Sequence, residues 1–132
     1  MQRLGMTDGC IAVFSPSMMT WVASYRGVLA FVNARGGGEY GDKWHDAGRL
    51  FHKQNVFDDV LAACKWLHES QYARKGRITI CGGSNGGMGV GAVVNQCTDE
   101  QIEIDICLVL QLSHIFLLKW LSSRQAVLVS TQ

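Results

Sequence analysis

Residues 54–70 place Val56, Val60, Ala63, Cys64 and Leu67 at helical spacing, with Asp58, Lys65 and Glu69 free to face water. That stripe predicts an amphipathic helix packed on a core. Acidic residues in its first turns suit the positive end of the helix dipole. Two other stretches have a different rhythm. Residues 27–33 are a continuous apolar run of strand length, the pattern of a parallel strand buried on both faces. Residues 77–81, with Ile78, Thr79 and Ile80 at their centre, read as a second, short strand. Residues 18–25 predict a helix on the surface or lining the sheet, and residues 85–96 are small and apolar enough for another. Residues 102–106 alternate Ile-Glu-Ile-Asp-Ile, as a strand does. The order β-α-β-α-β argues for an α/β fold with a mostly parallel sheet and flanking helices. A sheet of so few strands would leave edges exposed, and these invite association with another chain.

The second strand runs directly into Cys81-Gly82-Gly83-Ser84-Asn85-Gly86-Gly87. Gly-x-Ser-x-Gly between a strand and a helix is the form of a nucleophile elbow, a strained turn that lifts one serine above the sheet. Glycines flank it because the turn leaves no room for Cβ atoms. Ser84 is the candidate nucleophile. The backbone N–H of Asn85 is the candidate oxyanion donor. The bland alternative is a Gly-rich turn closing a buried strand. Upstream, residues 35–41 form a second Gly-rich loop, predicted to be flexible, at the C-terminal end of the first strand. It matches neither the dinucleotide nor the G-K-[ST] phosphate pattern. Arg35 and Glu39 within it read as a local ion pair or hydrogen-bond arrangement.

Taken together, Asn33-Ala34-Arg35-Gly36-Gly37-Gly38-Glu39-Tyr40-Gly41, Trp44-His45, residues 53–59 (Lys-Gln-Asn-Val-Phe-Asp-Asp) and the Ser84 motif resemble the prolyl oligopeptidase family. The likeness runs from about residue 15 to residue 98, and residues 99–132 form a divergent apolar tail. Asp59, Ala63 and Leu67 stand at the spacing of the family's serine signature. Met88 fits its first bulky position after the motif, and Gly89 departs from the second. The resemblance implies part of an α/β-hydrolase catalytic domain. It implies a serine endopeptidase that cleaves short peptides on the carboxyl side of proline through an acyl-enzyme, without metal or organic cofactor. The family's triad runs Ser, Asp, His, and only Ser84 matches a triad position here. The family's Asp and His lie further beyond the serine than Gln132 does. Its oxyanion-donating tyrosine has no counterpart in residues 7–14. The expectation is family membership with little activity in isolation. The alternatives are another α/β-hydrolase, such as an esterase, or a non-catalytic fragment that binds a partner chain.

Substitute triad members are poorly supported by pattern. Asp99, Asp105 and His114 follow Ser84 in the right order, but triads are defined by geometry. His114 sits in an apolar run, His45 matches no known catalytic position, and His52 and His68 read as exposed helix residues. A net charge of +1 gives no nucleic-acid surface. The five cysteines lack metal-ligand spacing and suit reduced thiols in the cytosol. Residues 104–121 are apolar but broken by Asp105, Gln111, Ser113, His114 and Lys119, so they read as buried or aggregation-prone rather than as a membrane span.

Overall fold

The computed structural model describes residues 16–74, 76–82 and 85–97, together with the backbone of 104–106, 109–110, 115–116 and 126–130. Residues 7–14, Gly83, Ser84, Asp99 and His114, all singled out by the sequence, lie outside the described residues, as does the side chain of Asp105.

The first helix, α1 (Pro16–Tyr25), opens on proline. Proline suits the first helical position because it has no N–H to leave unpaired and its φ is preset. Thr20 Oγ1 donates to the Pro16 carbonyl at 2.9 Å, and the rings of Trp21 and Tyr25 meet one turn apart at 5.8 Å. None of its residues is buried, so α1 lies on the surface. Arg26, at φ 51°, and Gly27 turn the chain into β1 (Val28–Val32).

A short helix, α2 (Asp42–Asp46), and a 3-10 turn (Leu50–His52) lead to α3 (Gln54–Glu69). Val56, Val60, Cys64 and Leu67 are its buried residues, as the spacing predicts, while Ala63 is only half-buried. The dipole expectation fails in detail. The first turn holds no acid, because Asp58 and Asp59 fall in the second turn, where Asp59 meets a different partner. The helix ends at Ser70 and Gln71, the latter at φ 59°, with Ala73 N–H donating back to the Leu67 carbonyl at 3.1 Å.

Strand β2 (Ile78–Gly82) follows, then α4 (Asn85–Gln96) and the strands β3 (Ile104–Ile106), β4 (Val109–Leu110), β5 (Ile115–Phe116) and β6 (Ala126–Ser130). The described architecture is mixed α/β. One sheet has the order β1-β6-β2-β3 with every neighbouring pair parallel, and β4 pairs with β5 antiparallel in a separate ribbon. β6 therefore pairs on both sides, with β1 and with β2.

The core gathers Val60, Cys64 and Leu67 of α3, Ile78 and Ile80 of β2, Val90 and Val93 of α4, and Ala73. β2 is buried on both faces, since Ile78, Thr79 and Ile80 are all buried. β1, expected to be so, is not, because all five of its residues are half-buried. The cause is position. β1 is an outer strand of the described sheet, so it lacks the second neighbour that shields a central one.

Candidate active site

The strand-to-helix turn carries the site. β2 ends at Gly82 and α4 begins at Asn85, so only two residues reverse the chain from sheet to helix. Gly82 lies back to back with the first turn of that helix. A Cβ built on it would sit 2.5 Å from both the carbonyl carbon and oxygen of Gly86. No Cβ approaches backbone that closely, so the turn demands glycine at 82 for reasons of contact. Gly86 and Gly87 are buried beneath it. Asn85 is exposed and is the first residue of α4. Its N–H has no acceptor within the helix, and it lies at the positive end of the helix dipole.

Strand register sets what lies beside the turn. Gly82 is level with Ser130, and Ser130 is level with Val32. The C-terminal ends of β2, β6 and β1 therefore form one rim, the edge where open α/β sheets place their sites. The loop after β1 leaves from this same rim.

That loop is a hydrogen-bonded turn, not the flexible segment expected. Gly36 adopts φ 99°, and a Cβ there would meet the Gly48 carbonyl oxygen at 3.0 Å. Gly36 N–H donates to the Trp44 carbonyl at 2.9 Å, Trp44 Nε1 donates to the Ala34 carbonyl at 3.0 Å, and His45 Nδ1 bonds the Gly36 carbonyl at 2.8 Å. Tyr40 packs edge-on against Trp44 at 5.0 Å.

Arg35 does not pair with Glu39, as the sequence suggested. It reaches across to α3 instead. Arg35 Nη2 and Nε donate to the Asp59 carboxylate at 2.7 and 2.9 Å, and Arg35 N–H donates to Asp59 Oδ2 at 2.8 Å. Nη2 also reaches the Asn55 carbonyl at 3.4 Å, while Asn55 Nδ2 donates to the Ala47 carbonyl at 2.8 Å. The partner of Arg35 is thus the aspartate of the serine signature, which sequence spacing located without revealing its role. Burial tends to raise the Asp59 pKa, but hydrogen bonds and charge from Arg35 outweigh that and hold the carboxyl below its ordinary range. The Asp59 hydrogen bond in turn raises the Arg35 guanidinium against the opposing effect of burial. Among the described residues, both carboxylate oxygens of Glu39 are buried without a hydrogen-bond partner.

The described histidines differ in setting. His45 Nδ1 is engaged by Gly36 and His68 Nδ1 by the Ala73 carbonyl at 3.1 Å, while His52 is exposed on the 3-10 turn. His68 corrects the expectation of an exposed residue: it is half-buried, and its Nε2 is enclosed with no partner among the described residues. The Cys64 thiol is pushed up to about 12, mainly by burial and secondarily by Cys97, so it is a packing group. Among the described residues no cluster of His, Cys, Asp and Glu could hold a metal ion, and no helix is long and apolar enough to cross a membrane.

Comparison with known proteins gives the same family as the sequence resemblance. The profile described as the prolyl oligopeptidase family matches residues 12–100. Prolyl oligopeptidase A of Amanita bisporigera is 46% identical over 86 residues, which cover 65% of this chain and 11% of that protein. Prolyl endopeptidase of Dictyostelium discoideum is 41% identical over 86 residues, again 65% of this chain and 11% of the relative. The solved structure of apo prolyl oligopeptidase B from Galerina marginata superposes with a TM-score of 0.65 at 33% identity, covering 74% of this chain and 14% of its own. The chain therefore spans only about a tenth of the length of the curated relatives it matches.

Proposed function

Since this chain belongs to the prolyl oligopeptidase family, we propose that it carries the nucleophile segment of a serine peptidase acting on short proline-containing peptides, within an α/β-hydrolase sheet. Ser84 is the nucleophile. Its oxygen bonds to the carbonyl carbon on the carboxyl side of proline, the C–N bond breaks, and water later releases the acyl group. The Asn85 N–H receives the charge that develops on the carbonyl oxygen. A histidine acts as base toward Ser84 and as acid toward the leaving amine, oriented by an aspartate, as in other serine triads. This chemistry requires no metal or organic cofactor. The half-buried Cys81 and Cys97 are thiols rather than disulfide partners, which suits a cytosolic setting.

One observation carries the reading. The passage from Gly82 to Asn85 is so tight that Gly82 abuts Gly86. A loose Gly-rich turn needs no such contact, whereas a nucleophile elbow does. A second reading has its own support. β1 and β3 are the outer strands of the described sheet, so each leaves one edge unpaired among the described residues. On that reading the chain binds a partner through the edges of β1 and β3 and does not itself cleave peptides.

Treatment of the folded, monodisperse chain with a fluorophosphonate, read by intact mass, separates the two. The peptidase reading expects a single adduct that disappears in Ser84→Ala. A folded chain that takes no label on Ser84 refutes it and leaves the partner-binding reading.

A further inference from the structure

The two outer strands of the described sheet differ in how an open edge is protected. Proteins guard such edges with short strands, charges or proline. β3 (Ile104–Ile106) is three residues long and carries Asp105 at its centre. β1 (Val28–Val32) is five residues long and apolar throughout, with neither charge nor proline. Its inner edge pairs with β6, and among the described residues no strand pairs with its outer edge. All five residues are half-buried, so each keeps part of its surface in solvent.

A strand that meets a second copy of itself antiparallel, about a two-fold axis, pairs each residue with a symmetry-related one. With the axis at Ala30, Ala30 meets its own copy, Leu29 meets the copy of Phe31, and Val28 meets the copy of Val32. Every such pair is apolar, and the smallest side chain stands where a residue must face itself. The nearest charged residue, Arg26, falls level with the copy of Ala34, so no like charges oppose. The same operation on β3 sets Asp105 against its own copy, and like charges directly opposite destabilise a pair.

We propose that β1 pairs antiparallel with β1 of a second copy of this chain, centred on Ala30, to form a closed two-fold dimer. The inference deepens the partner-binding reading, on which it rests for the use of the β1 edge, and needs no chemistry at Ser84. The guarded β3 edges stop the sheet from growing further. A seam of five residues is about 17 Å long. Contacts along it fall short of the roughly 1,000 Å² of a long-lived interface. The dimer is therefore reversible and forms as concentration rises.

Sedimentation equilibrium of the full chain over a concentration series should show the mass rising from one chain to two. Hydrogen exchange on the same samples should slow at residues 28–32 as the dimer forms and stay constant at residues 104–106. Exchange needs no variant, so it decides the question even where a substitution prevents folding. Val28, Ala30 and Val32 pack against the core, which leaves Leu29 and Phe31 on the other face and opposite each other across the axis. Leu29→Lys/Phe31→Lys sets lysine against lysine and should be monomeric, as should Leu29→Glu/Phe31→Glu. An equimolar mixture sets lysine against glutamate and should restore the two-chain mass. Thermal midpoints establish that the variants fold. A parent that stays monomeric, a folded lysine variant that still dimerises, an unrestored mixture or a mass climbing beyond two chains overturns the self-pairing. A monomer whose β1 amides are protected at every concentration has its edge covered from within the chain, which overturns it as well. Fluorophosphonate labelling of Ser84 decides the partner-binding reading separately, so either can fail alone.

Discussion

Asp59→Asn tests the structural reading most directly. The carboxylate accepts Arg35 Nη2 at 2.7 Å, Arg35 Nε at 2.9 Å and Arg35 N–H at 2.8 Å. Asparagine keeps one acceptor oxygen and turns an amide donor toward another donor, so at least one charge-assisted bond is lost. Hydrogen bonds to charged groups are worth about 1.5–3 kcal/mol each. The pair is partly screened, with side chains 33% and 23% exposed, so the full cost of breaking a buried pair does not apply. The expected loss is about 2 kcal/mol. For a domain of this size that lowers the melting temperature by roughly 6–10 °C. Urea titration followed by tryptophan fluorescence should shift the midpoint and leave the slope unchanged. A double-mutant cycle with Arg35→Gln isolates the pair. Protonation adds a second signature. The folded Asp59 pKa lies below the ordinary carboxylate value of about 3.9, so the folded state binds fewer protons and this stability is present above that value. It is lost as pH falls through the folded pKa, and Asp59→Asn should flatten that acid limb. An Asp59→Asn cost below about 0.5 kcal/mol, with strict additivity in the cycle, would show that the pair does not hold the loop to α3.

Gly82→Ala should cost about 1–3 kcal/mol, since its methyl overlaps the Gly86 backbone, and should abolish Ser84 labelling even in protein that remains folded. Gly91→Ala should stabilise the chain by about 0.5–1 kcal/mol in the same urea assay, because the site is helical and a Cβ there meets open space. Cys64 should resist alkylation at pH 8 in native protein and react once urea unfolds it, given a thiol pKa pushed up to about 12. Alkylation of Cys64 at the rate of an exposed thiol would contradict its packing in the core.

The features legible in the sequence were local. The spacing of Val56, Val60, Cys64 and Leu67 marks α3 because a helix repeats its face within a few residues. The run from Ile78 to Gly82 and the glycines after it mark the strand and the turn in the same way. The features that stayed hidden depend on contacts between distant residues. Arg35 has an acid four residues away in Glu39, yet it bonds Asp59 on α3. Nothing in the periodicity of residues 27–33 distinguishes an outer strand from a central one, so the half-burial of β1 emerges only with the strand order. The same holds for β6, which lies in what the sequence marks only as a divergent apolar tail, while its place between β1 and β2 follows from pairing.

The position of β6 also bears on how the chain acquires its structure during synthesis. β2 is made some fifty residues after β1, roughly a few seconds later at ordinary elongation rates. Among the described strands they share no pairing and are joined only through β6. Until Ala126–Ser130 leaves the ribosome, both facing edges offer unpaired amides and carbonyls to any strand in reach. The nascent chain must therefore hold two open edges while the residues between β2 and β6 are made, a state in which chaperone capture competes with aggregation. Closure of the sheet is a late, long-range event with a high loop-closure cost, which places this chain among slow folders.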